Sequence, residues 1–108
     1  TDWGAFLLAE NIGARSLIYL KDEKGLFDRD PKKVGFEERK NLKFYDRISA
    51  GELLAADLDD LIIERPILAM LQRAKCIQQL QIIDALHNPG DILRALEGEP
   101  VGTIITKG

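Results

Sequence analysis

Four consecutive apolar residues, Leu17-Ile18-Tyr19-Leu20, stop abruptly at the charged stretch Lys21-Asp22-Glu23-Lys24-Gly25. A strand with one face in water alternates apolar and polar residues, so an unbroken run has to be covered on both faces. That requirement selects a sheet held between helical layers. Leu80 to Ile83 reads as a second strand, and Val101 to Thr106, β-branched except for Gly102, as a last one. Three or four strands alternating with helices predict an α/β layer structure around a mostly parallel sheet.

The helices are marked by their ends. From Asp2 to Ile12 apolar residues cover a broad face and Gly13 supplies a stop, which predicts a helix over residues 1–12. Ser49-Ala50-Gly51-Glu52 has the capping-box spacing and starts a short helix. Pro66 suits the first turn of another, carrying Ile67, Leu68, Met70 and Leu71 to about Lys75. Asn88-Pro89-Gly90-Asp91 offers an N-cap, a proline and an early acid for a helix over 90–97, which Gly98 can end. Residues 21–41 are dense in charge of both signs and predict a long solvated loop, a length that itself hints at function.

The 108 residues suffice for one compact domain or part of one. Fifteen Lys and Arg against eighteen Asp and Glu give a net charge of -3, which leaves no basic field to track a nucleic-acid backbone. The single cysteine forbids a disulfide within the chain, and no apolar run approaches the roughly 18 residues of a membrane span. A reducing, cytoplasmic setting without membrane contact is the expectation. Thr1 at the first position, with no leader-like pattern behind it, suggests a chain that begins inside a longer polypeptide.

In open α/β sheets ligands sit at the carboxyl ends of strands, and the first strand delivers Lys21, Asp22, Gly25 and then Asp30-Pro31-Lys32-Lys33 to that edge. Cations, a carboxylate and a glycine turn suit a nucleoside triphosphate with Mg²⁺. Lys21 would neutralise phosphate oxygens, Asp22 would hold Mg²⁺, and Phe27 would give a base an apolar wall. Neither a Walker pattern nor GxGxxG is present. Elsewhere the residues read structurally. Asp91 fills the anion position at its own helix start, Cys76 is a small packing residue, and His87, the only histidine, cannot build a multi-histidine metal site within this chain.

The order Thr1-Asp2, Ala5, Leu8-Ala9, Ile12-Gly13-Ala14, an apolar strand, then Asp22-x-x-Gly25-Leu26-Phe27-x-x-Asp30-Pro31 resembles the carboxyl-terminal half of amino-acid kinase-fold proteins. That group includes uridylate, acetylglutamate and aspartate kinases. The ending Gly98-Glu99-Pro100-Val101-Gly102-Thr103-Ile104-Ile105 is similar to the family's closing strand, so the resemblance spans nearly the whole chain. It implies a carbamate kinase-like αβα three-layer sandwich, of which residues 1–108 would be the nucleotide-binding, carboxyl-terminal part of a single domain. It also implies ATP contacts from Lys21, Asp22, Gly25, Leu26, Phe27, Asp30, Pro31 and Lys33, with Mg²⁺ at Asp22.

Arg47-Ile48-Ser49 and Leu93-Arg94-Ala95-Leu96-Glu97-Gly98-Glu99 are similar to the metalate-storing branch of that family. This likeness implies ATP-dependent loading of molybdate or tungstate as polyoxometalate clusters. The implied partners are the amino-terminal half of the same subunit and a homologous second subunit in a heterohexamer. The alternative it leaves open is a small-molecule kinase acting on a carboxylate, carbamate or phosphate. Three departures bear on that choice. Lys21 puts a cation where kinases of the family usually place Thr or Ser, residues 34–42 resemble an insertion, and Glu64-Arg65-Pro66 lies where many carry a Met-Lys.

Overall fold

The computed structural model describes residues 2–58 and 61–108. Helix α1 (Asp2–Asn11) leads into strand β1 (Ser16–Lys21), and two short strands, β2 (Leu26–Phe27) and β3 (Phe44–Tyr45), pair antiparallel across a loop holding one 3₁₀ turn. Strand β4 (Arg47–Ser49) runs directly into α2 (Ala50–Ala56). Then follow α3 (Arg65–Arg73), β5 (Gln79–Asp84), α4 (Gly90–Leu96) and β6 (Thr103–Thr106). The main sheet has the order β1-β5-β6-β4, with β1 parallel to β5, β4 parallel to β6, and β6 antiparallel to β5.

The register divides the sheet into two faces. Leu17 and Tyr19 stand beside Leu80 and Ile82, and Ile105 stands between Leu80 and Ile48. This face packs with Phe6 of α1, Leu53 of α2 and Ile67, Leu68 and Leu71 of α3 into one apolar core. The opposite face carries Ile83 and Ile104, buried where α4 lies against β5. The outcome is a three-layer α/β sandwich. At the outer edge of β1 the second face is open, and Leu20 remains 54% exposed.

The helix ends follow the signals in the chain except at the start of α4, and the last strand and the charged loop also differ from the expectation. Gly13 turns α1 off at φ +79, with the Gly13 and Ala14 amides donating to Glu10 and Ala9, and Ser49 Oγ caps α2 by accepting the Glu52 amide at 3.1 Å. Asn88 is not a side-chain cap: α4 starts without one, and Asn88 serves through its carbonyl, which accepts the Asp91 amide at 3.0 Å. The last strand begins at Thr103 rather than Val101, because Gly102 sits at φ +70 against the Ile82 carbonyl and turns the chain into the sheet. Residues 21–41 are not wholly loop, since β2 and the 3₁₀ turn Glu38–Asn41 fall within them. Among the described residues, no helix is long and apolar enough to cross a membrane.

Candidate functional site at the carboxyl edge of β1

Lys21 and Asp84 end the two parallel strands side by side, and the ladder continues one step further as the Ala85 amide donates to the Lys21 carbonyl at 2.9 Å. Lys21 Nζ donates to Asp2 Oδ2 at 2.5 Å, with both side chains largely covered. Tyr19 Oη donates to the Asp2 carbonyl at 2.7 Å. Burial, with the Asp2 and Glu64 carboxylates nearby, pushes the Tyr19 phenol up to about 12. The start of α1 is thereby fixed to the end of β1, and the cation of Lys21 is paired before any ligand arrives.

Past Lys21 the chain turns around a cleft that opens to solvent. Asp22, Gly25, Phe27, Asp30 and Pro31 line it, joined by Glu23, Arg29 and Lys32, with Leu61 and Ile62 supplying an apolar wall. Asp22 forms an ion pair with Lys32. That hydrogen bond outweighs desolvation and holds the Asp22 carboxyl below its ordinary value, while Lys32 is raised in turn. Asp30 shapes the next turn, its Oδ1 accepting the Lys32 amide at 2.9 Å and its carbonyl the Lys33 amide at 3.0 Å.

Beneath the cleft the packing leaves no slack. A side chain on Gly25 would collide with Thr103 Oγ1 and the Phe44 ring. Leu26 is buried, and its amide donates to Thr103 Oγ1 at 2.8 Å, while that hydroxyl donates to the Tyr45 carbonyl at 2.5 Å. Phe27 meets Phe44 with ring centroids 5.2 Å apart and planes tilted by 58°. The β2–β3 pair is therefore locked to β6 through a single threonine. Phe27 stands at the cleft wall, backed by the Phe44 ring.

Of the residues singled out from the sequence, Asp22, Gly25, Phe27, Asp30 and Pro31 thus come together around one cleft. Lys21 is paired off at the strand end beside it, Leu26 forms the floor, and Lys33 lies outside the lining. Lys32, which the sequence also places at that edge, and Arg29, not singled out there, add two cations. Another feature lies at the end of β5. The Asp84 carboxylate, almost fully buried, accepts the Leu86 and His87 amides at 3.1 and 2.8 Å and meets His87 Nδ1 at 2.9 Å. The His87 amide bond outweighs desolvation and, with the imidazole, lowers the Asp84 carboxyl. Among the described residues, no group of three or more His, Cys, Asp or Glu is arranged to hold a metal ion.

The α/β sandwich is shared with known proteins. The model of the amino acid kinase family matches residues 1–83. Over 98% of its length the chain is 45% identical to the molybdenum storage protein subunit beta of Azotobacter vinelandii, of which it covers 37%. Over 97% of its length it is 32% identical to the uridylate kinase of Xanthomonas axonopodis pv. citri, covering 40% of that protein. The crystal structure of uridylate kinase from Archaeoglobus fulgidus superposes with a TM-score of 0.74 at 31% identity, over 98% of this chain and 46% of that one. UMP kinase from Bacillus anthracis, at 20% identity and a TM-score of 0.79, shares the fold. The chain spans less than half the length of each of these proteins. It belongs to the amino-acid kinase family.

Proposed function

We propose that this chain is the nucleotide-binding, carboxyl-terminal part of a single-domain subunit that stores molybdate or tungstate, with ATP driving the loading of metalate into polyoxometalate clusters. The observation that carries the reading is the 45% identity to a molybdenum storage subunit along nearly the whole chain. The cleft at the β1 edge supports it, because it combines an aromatic wall with two cations and the carboxylates of Asp22, Glu23 and Asp30. Phe27 stacks on the base, and Arg29, Lys32 and Lys33 neutralise phosphate charge. Asp22 is the right donor type for Mg²⁺ and takes the ion as Lys32 turns to phosphate.

The unpaired edge of β1 and the exposed Leu20 beside it support an amino-terminal remainder that extends the sheet and brings the rest of the phosphate site. Exposed Leu8 on α1 and Ile12 in the turn just past it offer apolar surface for the homologous second subunit of a heterohexamer. The setting is cytoplasmic.

A second reading, a small-molecule kinase, is favoured by the likeness to uridylate kinases. Arg65 speaks against it. That residue lies in the segment where many kinases of the family carry a lysine, and here its guanidinium is tied to Asp57 at 2.8 Å and to the Leu58 carbonyl. Phosphate release from radiolabelled ATP, with and without molybdate, separates the two. Release to water that rises with molybdate supports storage. Release indifferent to molybdate, with label on an organic acceptor, establishes the kinase instead.

A further inference from the structure

Asp84 and His87 form a held pair at the same strand edge that the nucleotide reading does not use. We propose that His87 is an oxyanion-binding residue, donating its Nε2–H as an imidazolium to a phosphoryl or similar oxygen while Asp84 holds the opposite ring nitrogen.

The geometry fixes which nitrogen is available. Asp84 Oδ2 lies 2.9 Å from His87 Nδ1, and Asp84 Oδ1 accepts the Leu86 and His87 amides, so the carboxylate organises both the ring and the turn that carries it. A carboxylate accepts only, so the Nδ1 proton belongs to this bond, and Nε2 becomes the working atom. The His87 side chain is 65% exposed while that of Asp84 is 8% exposed, so the support is buried and the presented group is open.

The pair is placed among the groups that make the edge. Asp84 is the register partner of Lys21, and Asp22 follows Lys21 directly. His87 is near enough for its charge to act on the Asp22 carboxyl. The charged groups around the imidazole are therefore the Asp84 and Asp22 carboxylates, Lys32 paired with Asp22, and Lys21 paired with Asp2. Both lysines are engaged, whereas the outer ring nitrogen meets no protein partner among the described residues and can take an anion without breaking an ion pair.

The sign of the pH dependence follows. Neutral imidazole with its proton on Nδ1 presents a lone pair at Nε2, which repels an oxyanion and attracts a metal cation. Imidazolium presents N–H, which binds the oxyanion in a charge-assisted hydrogen bond. Anion binding is thus linked to uptake of one proton and weakens as rising pH removes that proton, by at most about tenfold per pH unit. A divalent cation on Nε2 would give the opposite slope.

The nucleotide form of the proposal rests on the ATP reading above, whereas the oxyanion form does not, and the test keeps them apart. His87 is the only histidine of this chain, and His87→Gln assigns its ring signals in the ¹⁵N spectrum. The imidazole is titrated alone, with MgATP and with inorganic phosphate, while calorimetry measures MgATP affinity at pH 6 and 8. The expected result is a titration midpoint that moves up on adding ligand. MgATP should bind about tenfold tighter at pH 6 than at pH 8, and His87→Gln should flatten that dependence. Movement with phosphate as well as MgATP assigns the site to any oxyanion, and movement with MgATP alone to a nucleotide. If MgATP binds and the midpoint stays put or falls, the proposal is overturned. If MgATP does not bind at all, the nucleotide reading fails, and the phosphate arm decides: an unmoved midpoint overturns the oxyanion proposal too.

Discussion

Glu10 on α1 accepts the backbone amide of Cys76 at 2.7 Å through Oε1, which also takes the Ile77 amide at 3.1 Å, while Oε2 takes that of Lys75 at 2.9 Å. Three successive N–H groups between α3 and β5 thus converge on one carboxylate, 65 residues away in sequence at the nearest. Desolvation pushes the Glu10 carboxyl up, but the amide bonds together outweigh it and hold it below the ordinary glutamate value. The folded protein therefore gains stability from this group above the unfolded glutamate pKa and loses it as pH falls through the lowered folded value. Glu10→Gln should lower the melting temperature by several degrees at pH 7 and flatten its acid dependence below pH 5. Melting curves across pH 3 to 7 check this, and parallel curves for both proteins would refute it.

Thr103 has a comparable task in the interior, where its hydroxyl joins the Leu26 amide to the Tyr45 carbonyl with no exposure of its own. Thr103→Val keeps the shape and removes both partners, leaving a donor and an acceptor unsatisfied at about 1–3 kcal/mol each. Denaturant unfolding should show a loss of about 2 kcal/mol or more, and hydrogen exchange should speed up first at Leu26. A neutral substitution would mean that water replaces the hydroxyl.

Gly102 is a sharper case, because φ +70 disfavours any L side chain and a Cβ there would overlap the Ile82 carbonyl. Gly102→Ala must push β6 away from β5, the centre of the sheet, and should cost about 3 kcal/mol or more. Gly13→Ala, with φ +79 but open space around it, should cost about 1 kcal/mol. Equal losses for the two variants would show that dihedral strain alone, not the carbonyl contact, sets the penalty.

The contrast between these glycines shows what a linear reading can reach. Gly13 follows an apolar helical stretch, and its role is legible from that pattern. Gly102 interrupts a β-branched run, and only the approach of β5 from twenty residues away gives it meaning. Strands β1, β5 and β6 are visible because continuous apolar or β-branched runs mark them, although β1 stays open on one face. Strands β2, β3 and β4 have two or three residues each and exist through pairing partners remote in sequence, such as Leu26 with Tyr45 and Arg47 with Ile104.

The same limit applies at the cleft. Asp22, Gly25, Phe27, Asp30 and Pro31 share one turn-rich segment, so their convergence follows from order alone. Which of Lys32 and Lys33 lines the cleft depends on the Asp30 turn, where the side chain and carbonyl of Asp30 set the direction of consecutive residues. Asp84 and His87 give no signal without knowing that β5 ends beside β1.

Lys21 and Asp2 yield the prediction that reaches furthest into function. Their 2.5 Å pair is neutral as a whole, and with side-chain exposures of 22% and 29% it is shielded from bulk water. Removing either partner changes the local field on an anionic ligand in opposite directions. Lys21→Ala leaves an unpaired carboxylate, and charges about 4 Å apart at an effective dielectric near 20 interact by about 4 kcal/mol, an upper bound for phosphates held further off. MgATP affinity should fall by about tenfold to a hundredfold, on the scale of about 1–3 kcal/mol for a lost charged contact. Asp2→Asn frees the ammonium and should hold affinity or raise it, whereas the double variant should lie near wild type, since both charges leave together. Calorimetry on the full-length protein distinguishes these signs, with melting temperatures recorded to separate folding from binding. Identical affinities in all four proteins would reduce the pair to a structural clamp between α1 and β1, with the nucleotide charge met by Arg29, Lys32 and Lys33.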